Sequence, residues 1–159
     1  MTTEANGAIF SDDRVYRYLL WRTWDMSMEQ DRVMFIGLNP STADETEDDP
    51  TIRRCIRFAQ RWGYGGLYMT NIFGYRSTTP KELSKLGVEP IGPANDSWLV
   101  AYRQRSQLVI AAWGTGGALG SRGETVKELL PDLHCLGVTK KGHPKHPLYL
   151  KANTEWKVF

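Results

Sequence analysis

The sequence predicts a single three-layer α/β domain with a mostly parallel four-stranded sheet and an N-terminal β-hairpin. Apolar runs of strand length alternate with segments at helical spacing, and polar or glycine-rich segments follow the apolar runs. Alternation of this kind implies right-handed crossovers and a parallel sheet that helices cover. The 159 residues are about the length of one domain, so we expect one domain over residues 1–159.

The first half of the chain predicts a hairpin at 8–22, followed by the start of an α/β core at 31–150. Two apolar segments flank a polar turn, as in a β-hairpin. The apolar run Val33–Leu38 is typical of a strand buried on both faces. Asp49, which a proline follows, predicts the capped N-terminus of a helix over 50–62.

The second half of the chain continues this alternation. Its predicted elements are, in order, a strand at 66–73, a short helix at 79–86, a helix capped by Asn95 or Asp96, a strand at 108–113, a helix at 121–130 and a strand at 133–138. The basic, proline-containing segment 140–149 is predicted as a loop.

Composition excludes several classes of protein. Hydrophobic residues make 41% and charged residues 24% of the chain, which are ordinary values for a folded globular protein. No apolar run approaches the length of a membrane span, and Met1–Gly7 lacks the layout of a signal peptide, so we expect a cytoplasmic protein without a membrane partner. Cys55 and Cys135 lie too far apart for a thiolate-held metal or cluster. We therefore predict two reduced, buried thiols, no metal site and no cofactor.

Polar and glycine-rich segments follow the predicted strands. They are Gly37–Ser41, Asn71–Arg76, Gly114–Gly117 and Gly142–Leu148. In a parallel sheet such segments converge at one edge, outside the carboxyl ends of the strands, where ligands bind. We therefore expect one cleft there, lined by Gly37, Leu38, Asn39, Pro40, Ser41, Asn71, Phe73, Tyr75, Gly114, His143, Lys145 and His146.

The residue types in this predicted cleft suit a flat, hydrogen-bonding ligand. The amides of Asn39 and Asn71 each present a donor beside an acceptor, which complements a nucleobase edge. A histidine can donate to a developing anion, and Phe73 and Tyr75 could stack on a ring. The simpler interpretation is structural: Asn39 as a turn former, Asn71 as a cap of the strand and the histidines as partners of loop carbonyls.

Charge adds one observation. The formal net charge of +2 does not indicate a nucleic-acid binder, but four lysines in 140–151 stand together with two histidines and no acid before Glu155. Beside the cleft these residues would form a basic lip. Such a lip suits a phosphate-bearing ligand, either a nucleic acid or a free nucleotide.

Three short motifs resemble the uracil-DNA glycosylase superfamily. The segment Gly37–Ser41 resembles its first motif, in the glycine-x-asparagine-proline-glycine form of the mismatch-specific thymine/uracil glycosylases, with serine in place of the last glycine. Tyr68–Asn71 resembles its second strand, which ends in an asparagine. His143-Pro144 or His146-Pro147 resembles its last motif, histidine-proline-serine. The whole chain, from the hairpin through 142–150, resembles still more the family known as domain of unknown function 1643.

The superfamily resemblance implies roles for four residues. Asn39 would place the attacking water or help to stabilise the departing base, and Asn71 would read the base edge. His143 or His146 would donate a hydrogen bond to the base oxygen as negative charge builds on it. Asn39 and His143 are the predicted catalytic residues.

The leading prediction is a nucleobase-recognising protein that hydrolyses an N-glycosidic bond in DNA or in a nucleotide. One alternative is a non-catalytic module that binds nucleic acid or a nucleotide. Another is a hydrolase of a small phosphorylated metabolite, with the acidic run Asp44–Asp49 and His146 around a metal ion. That acidic run is otherwise a solvated loop that helps to cap the helix after it.

Overall fold

The structure, a computed structural model, describes residues 5–28 and 30–159. It is a mixed α/β fold. The described strands are β1 (Asn6–Phe10), β2 (Arg17–Thr23), β3 (Arg32–Gly37), β4 (Gly66–Asn71), β5 (Leu108–Ala111), β6 (His134–Cys135) and β7 (Lys157–Val158). The α-helices are α1 (Pro50–Arg61), α2 (Asn95–Gln104) and α3 (Arg122–Leu129). Short 3-10 helices occupy Met26–Met28, Pro80–Ser84, Gly114–Ser121 and Pro147–Tyr149.

The strands form one seven-stranded sheet in the order β1-β2-β4-β3-β5-β6-β7. The pairs β3–β4, β3–β5 and β5–β6 are parallel, whereas β1–β2, β2–β4 and β6–β7 are antiparallel. The predicted mostly parallel four-stranded sheet is therefore wrong in its extent. The hairpin adds two strands to one edge through β4, and the chain end returns as β7 on the other edge.

Helices cover both faces of the sheet, and the central strand β3 buries apolar side chains on each face. In β3, Val33 and Phe35 belong to a buried cluster that includes the apolar face of α1, while Met34 and Ile36 belong to a second cluster. The second cluster includes Leu99 of α2, together with the buried face of α3. A strand buried on both faces was the prediction for this run, and it is confirmed.

The predicted helix caps have different outcomes. Asp49 is the N-cap of α1, and its side chain accepts a hydrogen bond from Ile52 N at 2.8 Å. Ser121 has a left-handed backbone (φ 56°) and makes no capping bond to α3. Asn95 is the first residue inside α2, and its Nδ2 donates to Asn71 O at 2.8 Å instead. A tertiary partner has replaced the local one in this last case.

Element boundaries differ most near the cleft described below. The predicted strand 66–73 ends at Asn71 in the sheet, although Ile72 N and Phe73 N still donate to the carbonyls of Gly37 and Leu38 at 2.9 and 3.0 Å. The helix predicted at 79–86 is a 3-10 helix without a side-chain cap. Both cysteines are free and buried, as predicted.

No helix in the described part of the chain is long and apolar enough to cross a bilayer. The prediction made for Met1–Gly7 falls partly outside the described residues, which begin at residue 5.

Candidate functional site

A cleft of about 360 Å³ opens where β3, β4 and β5 end. Gly37 and Asn71 are the last residues of β3 and β4, and the segment after β5 supplies a third wall. Gly114, with φ 68°, lies against His146: a Cβ on this glycine would be 3.6 Å from the histidine Cβ. Of the twelve residues predicted for the cleft, those that line it are Gly37, Leu38, Asn39, Pro40, Ser41, Asn71, Gly114 and His146.

The two aromatic residues predicted to stack on a ligand do not line the cleft. Phe73 is 2% exposed and packs in the core cluster on the α2 and α3 face. Tyr75 turns toward the hairpin, where its ring meets the Tyr16 ring edge-on at a centroid distance of 6.1 Å. Both residues follow the end of β4, where Phe73 packs in the core and Tyr75 packs on the hairpin. Neither ring is therefore at the cleft, where the predicted stacking would need it.

His143 and Lys145 also lie away from the cleft. The segment after β6 folds back on itself through a bridge between Val138 and Pro144. His143 lines a separate cavity of about 180 Å³ with Trp113. Lys145 is exposed, and its side chain runs along Gly137. The fold-back directs the two histidines to different places, and His146 is the one at the cleft.

Asn71 brings a buried side-chain amide to the wall of the cleft. The residue is 2% exposed, and its Nδ2 has no hydrogen-bond partner. Its Oδ1 lies so close to Gly37 that a Cβ there would be 2.7 Å away, so the glycine makes room for this side chain. An unpaired buried donor costs about 1–3 kcal/mol, and a ligand acceptor in the cleft would remove this cost.

Asn39 is held by one end of its amide. Nδ2 donates to Ser77 O at 2.9 Å and to Pro40 O at 3.1 Å. Because carbonyl oxygens only accept, these partners identify the NH₂ end of the amide. Oδ1 is therefore the end that remains for the cleft. The Nδ2 end of the Asn39 amide thus has the structural role that the simpler interpretation gave to this residue, whereas Oδ1 does not.

His146 is oriented by its own loop. Its Nδ1 accepts a hydrogen bond from Leu148 N at 3.2 Å, which places the ring proton of the neutral form on Nε2. Burial lowers the pKa of this imidazole below its ordinary value, against a smaller opposing effect of Asp49. The ring is therefore a neutral hydrogen-bond donor near pH 7.

The polar lining residues outside the predicted twelve are Arg17, Asp49, Thr51, Thr115 and Tyr149. Arg17 begins β2 and is 2% exposed. Burial lowers its pKa to about 10, so it stays protonated near neutral pH. A lone arginine before the apolar residues of a strand was the available signal. Because Arg17 belongs to the predicted hairpin and not to the predicted core, the sequence does not indicate that it reaches the cleft.

Two carboxylates of the acidic run beside the cleft pair with arginines of the protein. Arg14 pairs with Glu45 at 2.9 Å, and Arg22 pairs with Asp48 at 2.8 Å. Asp44 accepts from the backbone N–H of residues 46 and 47. Within residues 5–28 and 30–159, no three His, Cys, Asp or Glu side chains are grouped to hold a metal ion. The run forms a loop that leads into α1.

The structure is thus a mixed α/β protein with a cleft at the carboxyl edge of its central strands. The model of one family, described as a protein of unknown function (DUF1643), matches residues 17–148. The chain belongs to this family. The matched span contains every lining residue of the cleft except Tyr149. No curated protein and no solved structure matches the chain significantly.

Proposed function

We propose that the cleft recognises a nucleobase, in DNA or in a nucleotide, and supports hydrolysis of its N-glycosidic bond. One observation carries this proposal: the amide of Asn71 is buried at the cleft with an unpaired Nδ2. A base carbonyl would accept from that Nδ2, and a base N–H could donate to Oδ1. The cleft volume of about 360 Å³ lies within the range of small-molecule sites.

The proposed reaction uses two further residues of the cleft. Asn39 Oδ1 accepts a hydrogen bond from water, whose oxygen bonds to C1′ of the sugar. The C1′–N bond breaks, and its electron pair leaves with the base. His146 Nε2–H donates to the base oxygen while negative charge builds there. The proton lost by the water ends on the base nitrogen, so the products are a free base and a sugar hydroxyl.

His146 takes the role that the sequence assigned to His143, because only His146 lines the same cleft as Asn39 and Asn71. A neutral imidazole suits this role, because its Nε2–H can donate a hydrogen bond to the developing anion without any change in the protonation state of the ring. The resemblance to the uracil-DNA glycosylases remains a prediction that motivates the reaction class.

The test uses chromatography to measure the release of free base. The substrates are nucleotides and oligonucleotides that carry uracil, hypoxanthine or modified pyrimidines. The wild-type protein should release at least one base. Asn39→Ala should lower the rate by about 100-fold, and Asn71→Ala should remove both binding and release. Asn153→Ala, at an exposed asparagine, is the matched control and should behave as wild type. Equal behaviour of wild type and Asn71→Ala on every substrate contradicts the proposal.

Binding without turnover is the second candidate, and Asp49 favours it. Asp49 is the carboxylate among the lining residues, and it is already engaged as the N-cap of α1. A general base would need a carboxylate that is available to water. Base-selective binding that depends on Asn71, with no base released from any substrate, would support this candidate over hydrolysis.

A further inference from the structure

Arg17 is a buried cation inside the cleft without a bound acid. Its side chain is 2% exposed and lines the cleft. Nη1 donates to Ala43 O at 3.0 Å, whereas Nε has no partner. None of the ion pairs formed by the described residues includes Arg17. A buried charge is costly unless it is paired and hydrogen-bonded. The Asp49 carboxylate offsets part of this cost through space without touching the guanidinium, and an anion that enters the cleft would offset more of it.

The N-terminus of α1 faces the same cleft. Thr51 and Ile52, in the first turn of this twelve-residue helix, both line it. The first N–H groups of a helix have no partner within the helix and carry partial positive charge. In α1, Pro50 has no N–H, Ile52 N donates to Asp49 Oδ1 and Arg53 N donates to Asp49 O, so the N–H of Thr51 is the one left in this first turn. The cleft thus combines an unpaired guanidinium with a helix end, the two features that bind phosphate in proteins.

The base-reading amide and this cation come from adjoining strands. β2 pairs with β4, and Arg17 N donates to Gly74 O at 3.0 Å, just beyond the end of β4. Asn71 is the last residue of β4. One small ligand that enters the cleft therefore meets an amide on one strand and a guanidinium on its neighbour.

We propose that Arg17 and the N-terminus of α1 bind the terminal phosphate of a free nucleotide, an inference that rests on the proposed function for the base end of the cleft. The burial of Arg17 favours a free nucleotide over a polymer. A phosphodiester continues into the polymer on both sides, so the cleft would have to open for two chain segments. A terminal phosphate has one ester bond, so the cleft can enclose its other oxygens. The terminal phosphate also carries more charge near neutral pH.

Asp49 is expected to weaken the binding of a phosphate, which is the opposite of the effect of Arg17. Its carboxylate lines the cleft and repels an anion there, while its capping oxygen holds Ile52 N. Asparagine caps a helix as well as aspartate does. Asp49→Asn should therefore keep the helix and strengthen the binding of a phosphate.

The experiment compares, by calorimetry, a carbocyclic nucleoside with its 5′-monophosphate, an oligonucleotide of the same base and inorganic phosphate. The carbocyclic sugar prevents N-glycosidic hydrolysis during the titration. The proteins are wild type, Arg17→Met, Arg17→Lys, Asp49→Asn and a matched control, Arg57→Met, whose arginine is exposed on α1. Thermal unfolding of each variant checks that it folds.

In wild type and in Arg57→Met, the monophosphate should bind about tenfold or more tightly than the nucleoside, the value of one charged hydrogen bond. Arg17→Met should remove this gain and leave the nucleoside affinity unchanged, and Arg17→Lys should restore part of it. Asp49→Asn should tighten monophosphate binding about threefold or more. If Arg17→Met does not fold, Arg17→Lys and Asp49→Asn decide the outcome.

Two results would overturn the inference while the proposed function stands: a nucleoside that binds as tightly as its monophosphate, or an oligonucleotide that binds as tightly as the monophosphate with the same dependence on Arg17. The opposite failure is distinct. Phosphate binding that depends on Arg17, without preference for any base, would support the phosphate site and contradict base recognition by Asn71.

Discussion

His146 shows how a single side chain can be set for its role by its loop. Its Nδ1 is held by Leu148 N, and half of the ring is buried beside the cleft. Burial disfavours the charged imidazolium, which is why its pKa lies below the ordinary value of 6.5. The folded protein therefore takes up this proton less readily than the unfolded chain does.

This pKa shift has a consequence for stability. Because the unfolded imidazole binds the proton first, stability should fall as the pH drops below about 6.5 toward the lowered pKa of the folded state. We expect the melting temperature of wild type to decrease more steeply between about pH 7 and 5 than that of His146→Gln, which cannot titrate. Asn153→Gln, at an exposed residue that does not titrate, is the control and should keep the wild-type slope. Identical slopes in wild type and His146→Gln would contradict the assignment.

Other single residues of the cleft differ in how far the sequence predicts them. Asn39 and Asn71 stand directly after apolar runs, so the rule for parallel sheets places them at the ligand edge. The same rule does not predict Arg17 at the cleft, because Arg17 begins a hairpin strand and does not follow a parallel one. Its burial arises only when β2 pairs with β4 and the loop around Ala43 folds over it.

At the scale of elements, the acidic loop and α1 form one unit that Arg22 holds in place. Arg22 is 4% exposed. Besides its ion pair with Asp48, it donates to Asp44 O at 2.6 Å and to Glu47 O at 3.1 Å. This arginine on β2 therefore fixes the loop whose last residue, Asp49, caps α1 and lines the cleft.

Two arginines that hold the same loop give a matched comparison. Arg22→Met should destabilise the protein by about 3 kcal/mol, because it leaves buried carbonyl oxygens and a carboxylate without their partner. Arg14→Met removes an exposed ion pair with Glu45 and should cost much less than Arg22→Met, because solvent screens an exposed pair. Urea unfolding measures both values. Equal losses would show that the loop does not depend on Arg22.

Elements with strong local signals are the ones that the sequence predicts. The helix expected at 50–62 is α1, since a proline, a capping aspartate and helical spacing all agree. The strand expected at 133–138 is shorter in the structure, where it is β6 (His134–Cys135), and β7 carries no local signal because it exists only as the antiparallel partner of β6. The segment 114–121 is glycine-rich and forms 3-10 turns that non-helical backbone at Leu119 and Gly120 interrupts.

At the scale of the whole molecule, the sheet gathers groups that are far apart in sequence. Arg17, Asn71 and His146 line one cleft because β2, β4 and the loop after β6 meet at the carboxyl edge of β3. The predicted basic lip contributes less than its lysines indicate, since Lys145 lies outside the cleft. The positive charge inside the cleft comes from Arg17 and from the end of α1.

The most direct test of this account observes the Asn71 side-chain amide itself by ¹H–¹⁵N NMR while nucleoside monophosphates are added. Loss of one side-chain signal pair in Asn71→Ala assigns the resonance, and the amide of exposed Asn153 serves as the internal control. We predict that at least one base shifts the Asn71 signals in a saturable manner and leaves those of Asn153 in place. Asn71 signals that stay unchanged with every nucleotide at saturating concentration would contradict the account.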